Sequence, residues 1–408
     1  MERVVERSNM WAAWKRVKAN GGSPGADGMT VEQLPAFLRA NWERIREELL
    51  AGRYAVQPVL RREIPKSGGG VRELGIPTVL DRLIQQAILQ VLQPRFDPTF
   101  SASSYGFRPG RSAHQAVCRA QQLVQAGKRV VVDVDLERFF DRVNHDVLLS
   151  RLARRIEDKR LLALIRRYLE AGVMAQGVVM ERYEGTPQGG PLSPLLANVL
   201  LDEVDRALEK RGHAFVRYAD DCNVYVRTRR AGERVMASLR RMYESLRLRI
   251  NESKSAVAWA WERKFLGYSM WRSPTGIRRR VAPKALSAMK DRVRQITARN
   301  RGRSMQSVVA ELRGYLLGWK AYFRLAQTPK IFRSLDAWLR HRLRTLQLKQ
   351  WKRGTTMYRE LRRLGAPEAV ARRVAANSRR WTLNARKHLH IALPIAHFDA
   401  LGLPRLAA

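Results

Sequence analysis

The stretch Ala214-Phe-Val-Arg-Tyr-Ala-Asp-Asp-Cys-Asn-Val-Tyr-Val226 holds two short apolar runs, Ala214–Tyr218 and Asn223–Val226, with almost nothing between them. Such a pair reads as a β-hairpin. Its tip carries two adjacent carboxylates, Asp220 and Asp221. Asp-Asp is ordinary turn chemistry. Apolar strands on both sides, however, would hold these acids at one fixed point of a buried sheet. Asp135 has a similar setting. It closes the β-branched run Arg129-Val-Val-Val-Asp-Val-Asp135, a predicted strand after Gly127. Asp133, two residues earlier, shares its face. If that strand pairs with the hairpin, Asp135, Asp220 and Asp221 converge. Three carboxylates at one point need hard cations, and Mg²⁺ takes one or two carboxylates plus substrate phosphate. Two such ions roughly 3.5–4 Å apart clamp the attacking and leaving oxygens of an in-line phosphoryl displacement. Nucleotidyl transfer is the natural chemistry of such a cluster.

Outward from the hairpin the chain reads as mixed α/β up to about residue 272. Apolar residues recur at helical spacing in Ile84–Leu92, Leu161–Leu169, Leu195–Val204 and Val235–Leu246, the third opening just after Pro194. The turn-rich stretch Arg272-Ser-Pro-Thr-Gly276 marks a domain boundary. Beyond it the sequence reads as nearly all helical, with stripes such as Leu286, Met289, Val293 and Ile296, and arginines on the other faces.

Charge narrows the partner. The 408 residues carry 77 Lys+Arg against 37 Asp+Glu, a net of +40, and 62 of the basic residues are Arg. Residues 271–408 alone hold 32 basic and 6 acidic residues. Such a surface repels itself unless a polyanion neutralises it, and a small-molecule enzyme has no use for it. The chain shows no amphipathic membrane anchor and no lipidation motif. Nucleic acid is the leading partner, because the planar guanidinium holds two phosphate oxygens at once. The longest uncharged run, Gly185–Leu201, is broken by Pro187, Gly189, Gly190, Pro191 and Pro194 and is no membrane helix. Two cysteines, Cys118 and Cys222, make neither a Cys₄ zinc site nor a disulfide framework. With no signal-peptide pattern at the N-terminus, a soluble protein of the cytoplasm is expected.

The ordered motifs resemble a reverse transcriptase, specifically the group II intron-encoded type, or intron maturase. Asp135-Leu-Glu-Arg-Phe-Phe-Asp141 and Tyr218-Ala-Asp-Asp221 resemble its two acidic palm motifs. Gly185-Thr-Pro-Gln-Gly-Gly-Pro-Leu-Ser-Pro194 resembles its dNTP-pocket segment. Asn251-Glu-Ser-Lys254 and Phe265-Leu-Gly-Tyr268 are similar to later palm motifs, and Arg72-Glu-Leu-Gly-Ile-Pro77 and Ser104-Tyr-Gly-Phe-Arg-Pro109 to finger motifs. Gly21-Gly-Ser-Pro-Gly-Ala-Asp-Gly28 resembles the N-terminal extension of the lineage. Each motif is short; their order and spacing, from about residue 15 to 350, carry the resemblance.

The resemblance implies an α+β right-hand polymerase, with a fingers–palm antiparallel sheet and helices, followed by an all-helical thumb or maturase domain. The implied divisions are 1–80 (N-terminal extension and start of the fingers), 81–272 (fingers and palm), 273–360 (thumb and maturase) and 361–408 (a basic, DNA-binding-like tail). It implies Asp135, Asp220 and Asp221 as ligands of two Mg²⁺ ions, with Asp133 outside the triad and Asp141 as a supporting acid or helix cap. Phe140 takes the place of the bulky gate that excludes a ribose 2′-OH, although a core aromatic reads the same way. Lys66 and Arg72, flanking Gly68-Gly-Gly70, match residues that hold the incoming triphosphate; otherwise they are solvated charge. Gln188 and Gly189 match the pocket beside the dNTP, and Lys254 lies near the phosphates or is a surface lysine.

Arg313-Gly-Tyr-Leu-Leu-Gly-Trp-Lys-Ala-Tyr-Phe323 and Leu335–Arg344 resemble the maturase domain. Trp319, Tyr322 and Phe323 read as core there, and the arginines beside them as a track for duplex phosphates. His388, His390 and His397 invite zinc, but no cysteine or carboxylate run accompanies them. Nor is the paired Cys/His pattern of the nuclease domain that many relatives carry present, so no endonuclease activity is expected. The implied partners are group II intron RNA, an RNA template/DNA primer duplex and target DNA. The implied activity is RNA-directed DNA polymerisation with help to splicing. Two alternatives stand beside it: a splicing cofactor without polymerase activity, and a domesticated relative serving defence or a CRISPR system.

Overall fold

The computed structural model describes every residue except 66–70, 176–177, 181–183, 187–188, 301 and 408, and only the backbone of 72, 175 and 178–180. Lys66, Gln188 and the Gly68–Gly70 run therefore lie outside the described residues. Two compact units make up the chain, Met1–Arg263 and Lys264–Ala408. The division falls before the expected boundary at Arg272–Gly276, because that stretch is the turn between two paired strands of the second unit.

In the first unit the strands are β1 (Val59–Pro65), β2 (Val71–Ile76), β3 (Val130–Val134), β4 (Val173–Ala175), β5 (Val178–Met180), β6 (Ala214–Tyr218), β7 (Asp221–Val226) and β8 (Ala256–Trp259). They form two four-stranded sheets. One has the order β2-β1-β4-β5, with β1 and β4 parallel. The other has the order β6-β7-β3-β8 and is antiparallel throughout. The valines of β3 (Val130, Val131, Val132 and Val134) are all buried, so this central strand is covered on both faces and reads as a continuous apolar run.

The helices of this unit are α1 (Glu2–Val5), α2 (Arg7–Asn20), α3 (Leu34–Leu50), α4 (Val79–Phe96), α5 (Ala113–Gln125), α6 (His145–Ala153), α7 (Lys159–Glu170), α8 (Ser193–Lys210) and α9 (Arg229–Ser245). The four stripes read before residue 272 lie in α4, α7, α8 and α9, with Leu246 at the C-cap of α9. Side-chain oxygens fix where they start: Thr78 caps α4, Asn144 α6, Asp158 α7 and Thr228 α9, and Ser112 with Gln115 closes a capping box on α5. Helix α9 lies across β3, β7 and β8, and α5 lies against β6 and β7. Val235 and Leu239 of α9 are buried while Arg234 and Arg241 are exposed. The palm sheet is thus held by one apolar face of each covering helix.

The second unit opens with three strands, of which the last lies in the stretch expected to be nearly all helical. Strands β9 (Lys264–Phe265), β10 (Tyr268–Ser273) and β11 (Gly276–Val281) form an antiparallel meander. Then follow α10 (Pro283–Ile296), α11 (Met305–Tyr322), α12 (Pro329–Trp351), α13 (Gly354–Arg363), α14 (Glu368–Ala376), α15 (Trp381–Lys387), α16 (Leu389–Ala392) and α17 (Ile395–Ala400). Trp319 and Phe323 are buried, with ring centroids 4.8 Å apart. Tyr322 differs from the core reading: it is exposed, and its hydroxyl donates to the Leu266 carbonyl at 3.0 Å. The chain end returns to α12, where the buried carboxylate of Asp336 accepts from the amides of Leu406 (2.9 Å) and Ala407 (3.0 Å). Among the described residues no helix is long and apolar enough to cross a membrane.

Candidate active site

Strand register places the acids. In the β6–β7 hairpin Tyr218 faces Asp221, leaving Ala219 and Asp220 as a two-residue turn. Ala219 adopts a left-handed φ of 56°, an uncommon conformation for a residue with a Cβ. On the other side of β7, Cys222 pairs with Val134 of β3. The next residue along β3 is Asp135, so its backbone arrives at the same end of the sheet as Asp220 and Asp221. The Asn251–Ser255 segment holds Asp135 there. The Asn251 amide donates to the Asp135 carbonyl at 2.8 Å, and the Asp135 amide donates to Ser255 Oγ at 3.0 Å. Lys254 Nζ lies 3.7 Å from Asp135 Oδ1.

The carboxylate groups themselves are less gathered than the backbone that carries them. Among the described residues no three acid, histidine or cysteine side chains form a group that could hold a metal ion. Asp133 is drawn to Arg263, whose Nε lies 2.7 Å from Asp133 Oδ2. The Asn223 amide nitrogen, in its satisfied orientation, donates to Asp133 Oδ1 at 2.8 Å. Asp133 is thus a structural neighbour on the strand. Asp141 caps no helix: it lies in the short 3₁₀ turn Phe139–Asp141, and Asn144 provides the cap of α6.

A buried buttress stands behind the turn. Arg217 and Asp205 are both fully buried, with Arg217 Nη2 2.6 Å and Nε 2.8 Å from the Asp205 carboxylate. Arg217 Nη1 donates to Asn198 Oδ1 and to the Ala219 carbonyl, each at 2.9 Å. Asn198 Nδ2 in turn donates to the Gly106 carbonyl at 2.9 Å. Gly106 lies so close to the turn that a Cβ there would stand 2.2 Å from the Ala219 nitrogen. The Ser104–Pro109 motif therefore runs beside β6, with Tyr105 N donating to Arg217 O and Arg217 N to Ser103 O, both at 2.9 Å. Sequence reasoning missed Arg217, Asp205 and Asn198. The available signal was a lone arginine within an apolar strand, since a buried cation demands a buried partner.

The expected nucleotide pocket is partly in view. Phe139 is buried, and Phe140 is half-buried and edge-on to it at 5.1 Å. The Thr186 amide donates to the Phe140 carbonyl at 2.6 Å and the Gly185 amide to Val143 O at 2.8 Å. Gly189 has φ +136°, and a Cβ there would meet the Gly75 carbonyl of β2 at 2.7 Å. The segment from Gly185 to Gly189 is thereby tied at one end to Phe140 and abuts β2 at the other. Arg72 belongs to β2, its backbone paired with Ile64.

In the second unit, cations lie on indoles. Arg342, Arg294 and Lys290 lie 5.5, 5.8 and 5.9 Å from the Trp338 ring, and Lys349 lies 4.6 Å from that of Trp381. Such stacking fixes cationic heads at the surface.

A valine strand flanked by an acid-tipped hairpin, with helices behind, has the layout of a polymerase palm. Residues 64–270, half of the chain, match the family described as reverse transcriptase (RNA-dependent DNA polymerase), and the chain belongs to that family. Residues 286–365 match the group II intron, maturase-specific domain, which makes it a reverse transcriptase of the group II intron type. Protein YkfC of Escherichia coli (strain K12) is 35% identical over 274 residues, 58% of this chain and 72% of that protein. Group II intron-encoded protein LtrA of Lactococcus lactis subsp. cremoris is 36% identical over 197 residues, 48% of this chain and 33% of LtrA. The aligned part thus spans only a third of LtrA. Among solved structures, a chain of a partial Cas6-RT-Cas1–Cas2 complex aligns over 60% of this chain and 41% of its own, with 26% identity and a TM-score of 0.39.

Proposed function

We propose that the protein is an RNA-directed DNA polymerase of group II intron type that also binds its intron RNA and assists splicing and mobility. The register of β6, β7 and β3 carries this reading, because it delivers Asp135, Asp220 and Asp221 to one end of one sheet. Their donor set is carboxylate oxygen alone, which suits magnesium over softer metals, and these three residues would hold two Mg²⁺. Bound there, magnesium would neutralise charge on the primer 3′-oxygen and the departing pyrophosphate.

The remaining roles fall to the chain's own residues. Lys66 and Arg72 hold the triphosphate of the dNTP. Phe140 closes the pocket against a ribose 2′-OH, and Gln188 and Gly189 line its side. Lys254 keeps a positive charge beside Asp135 and the phosphates. Arginines of the second unit track the phosphates of the RNA template/DNA primer duplex and of intron RNA, and the basic helices from residue 361 contact target DNA. The work is done in the cytoplasm.

Primer extension on an RNA template with Mg²⁺ and dNTPs tests the reading. The wild-type chain is expected to copy RNA. Asp220→Ala is expected to abolish copying and leave RNA binding near the wild-type value. A wild-type chain that never extends a primer under any divalent ion, yet binds intron RNA, would be a splicing cofactor and not a polymerase.

A further inference from the structure

The aromatic ring of Phe107 stands beside the acid-bearing turn and is not part of the core. It is 47% exposed, and its centroid lies 6.4 Å from that of Tyr218, the residue before Ala219-Asp220. Its backbone is left-handed, φ +58°, a strained state for a bulky residue. The chain is pinned on both sides of it. Before it, Tyr105 is hydrogen-bonded to the Arg217 backbone and Gly106 to Asn198. After it, Arg108 reaches back to Asp97 Oδ1 at 2.8 Å and to the carbonyls of Ser101 (2.6 Å) and Ser104 (3.1 Å). A tight network thus holds in strain one residue whose own side chain points out of that network.

Strain of this kind persists only where the surroundings enforce it, and it concentrates at functional sites. Burial does not account for Phe107, since nearly half of it is exposed. We propose that Phe107 is a fixed aromatic platform for the 3′-terminal nucleoside of the primer strand. This rests on the polymerase reading of the adjacent acids. For in-line transfer the primer 3′-hydroxyl must lie at Asp220 and Asp221, so the nucleoside bearing it is the part of the nucleic acid nearest this ring. An aromatic face accepts any base or sugar edge without reading sequence, as a primer terminus of changing identity requires. Because hydrogen bonds on both sides fix the backbone that carries the ring, less freedom is lost when the primer lands.

Photo-crosslinking of the full chain tests the proposal without needing turnover. The probe is a DNA primer ending in 5-iodo-2′-deoxyuridine, annealed to an RNA template and irradiated in complex. Crosslinked peptide is expected to map to Phe107, and Phe107→Ala to lose most of the yield, with Phe107→Trp retaining it. In primer extension Phe107→Ala should raise KM for the primer–template about tenfold with kcat nearly unchanged. Phe107→Gly relieves the left-handed strain, so its thermal midpoint should equal or exceed the wild-type value while primer binding weakens. A purely structural role would lower that midpoint instead. Unchanged crosslinking and KM in Phe107→Ala would overturn the platform while leaving the polymerase reading intact. Crosslinking at Phe107 in a wild-type chain that never copies RNA would have the opposite meaning.

Discussion

Arg217 takes a position that a valine or leucine would fill without an ionic partner. Removing one member of a buried ion pair leaves the other charged and unpaired, so Arg217→Met is expected to cost about 3–5 kcal/mol in urea unfolding. Pairing it with Asp205→Leu should restore much of that stability, since an apolar pair of similar volume is often tolerated. Primer extension should stay impaired in the double variant, because the Ala219 carbonyl still lacks its donor. Recovery of extension along with stability would show that the arginine serves the fold alone. Asp81 is a second buried charge. Burial pushes its carboxyl up to about 6, against hydrogen bonds from Thr78 and Tyr54 that favour the charged form. The folded state therefore holds this proton more tightly than the unfolded chain. Its contribution to stability is full below about pH 4 and is lost as pH rises through about 6. Relative to Asp81→Asn, the wild-type chain should lose about 2–3 kcal/mol between pH 4 and pH 7, as followed by denaturant titration at each pH. A constant difference would remove the buried-acid account. Burial also pushes the Cys222 thiol up to about 12, so a thiol reagent should modify half-buried Cys118 in the native protein and reach Cys222 only on unfolding.

At the scale of elements, the Ser104–Pro109 segment and the acid-tipped hairpin act as one body. Gly106→Ala would place a methyl against the Ala219 nitrogen, and the turn would have to move. A displacement near 1 Å at reacting groups costs about a hundredfold in rate, so kcat should fall by that order while RNA binding persists. Wild-type kcat in this variant would uncouple the two segments. The hairpin and strand β3 were legible in the sequence because their apolar runs are short, β-branched and bounded by turn residues. The helices were legible from their 3.6-residue stripes. The partners of Arg217 were not, since Asp205 and Asn198 lie on α8 and only the folded chain brings them to β6. The β10–β11 hairpin was missed because Arg278-Arg-Arg280 has the look of a charged loop, although those arginines pair along a strand. The two units divide before the stretch Arg272–Gly276, whose Pro274 and Gly276 mark a hairpin turn. That the backbone of Asp135 reaches the sheet end bearing Asp220 and Asp221 hung on strand pairing that the sequence could pose only as a condition.

For the whole molecule the decisive quantity is +40. A surface of that charge releases many counterions when it meets a polyanion, so intron-RNA affinity should fall by about a thousandfold or more between 50 and 200 mM salt. A flat titration would remove the electrostatic part of the account. The excess is concentrated after residue 271, where cations stacked on Trp338 and Trp381 lie on the matched maturase segment and beyond it. Catalysis, by contrast, is proposed for three acids in the first unit, Asp135, Asp220 and Asp221. Iron(II) put in place of magnesium reduces added hydrogen peroxide to hydroxide and a hydroxyl radical, ascorbate returning the iron(III) to iron(II), and the radicals cut the chain beside the bound ion. The account predicts cuts next to residue 135 and next to residues 220–221, suppressed by excess Mg²⁺ and absent in Asp135→Asn. Cleavage elsewhere, or at only one of the two strands, would contradict it.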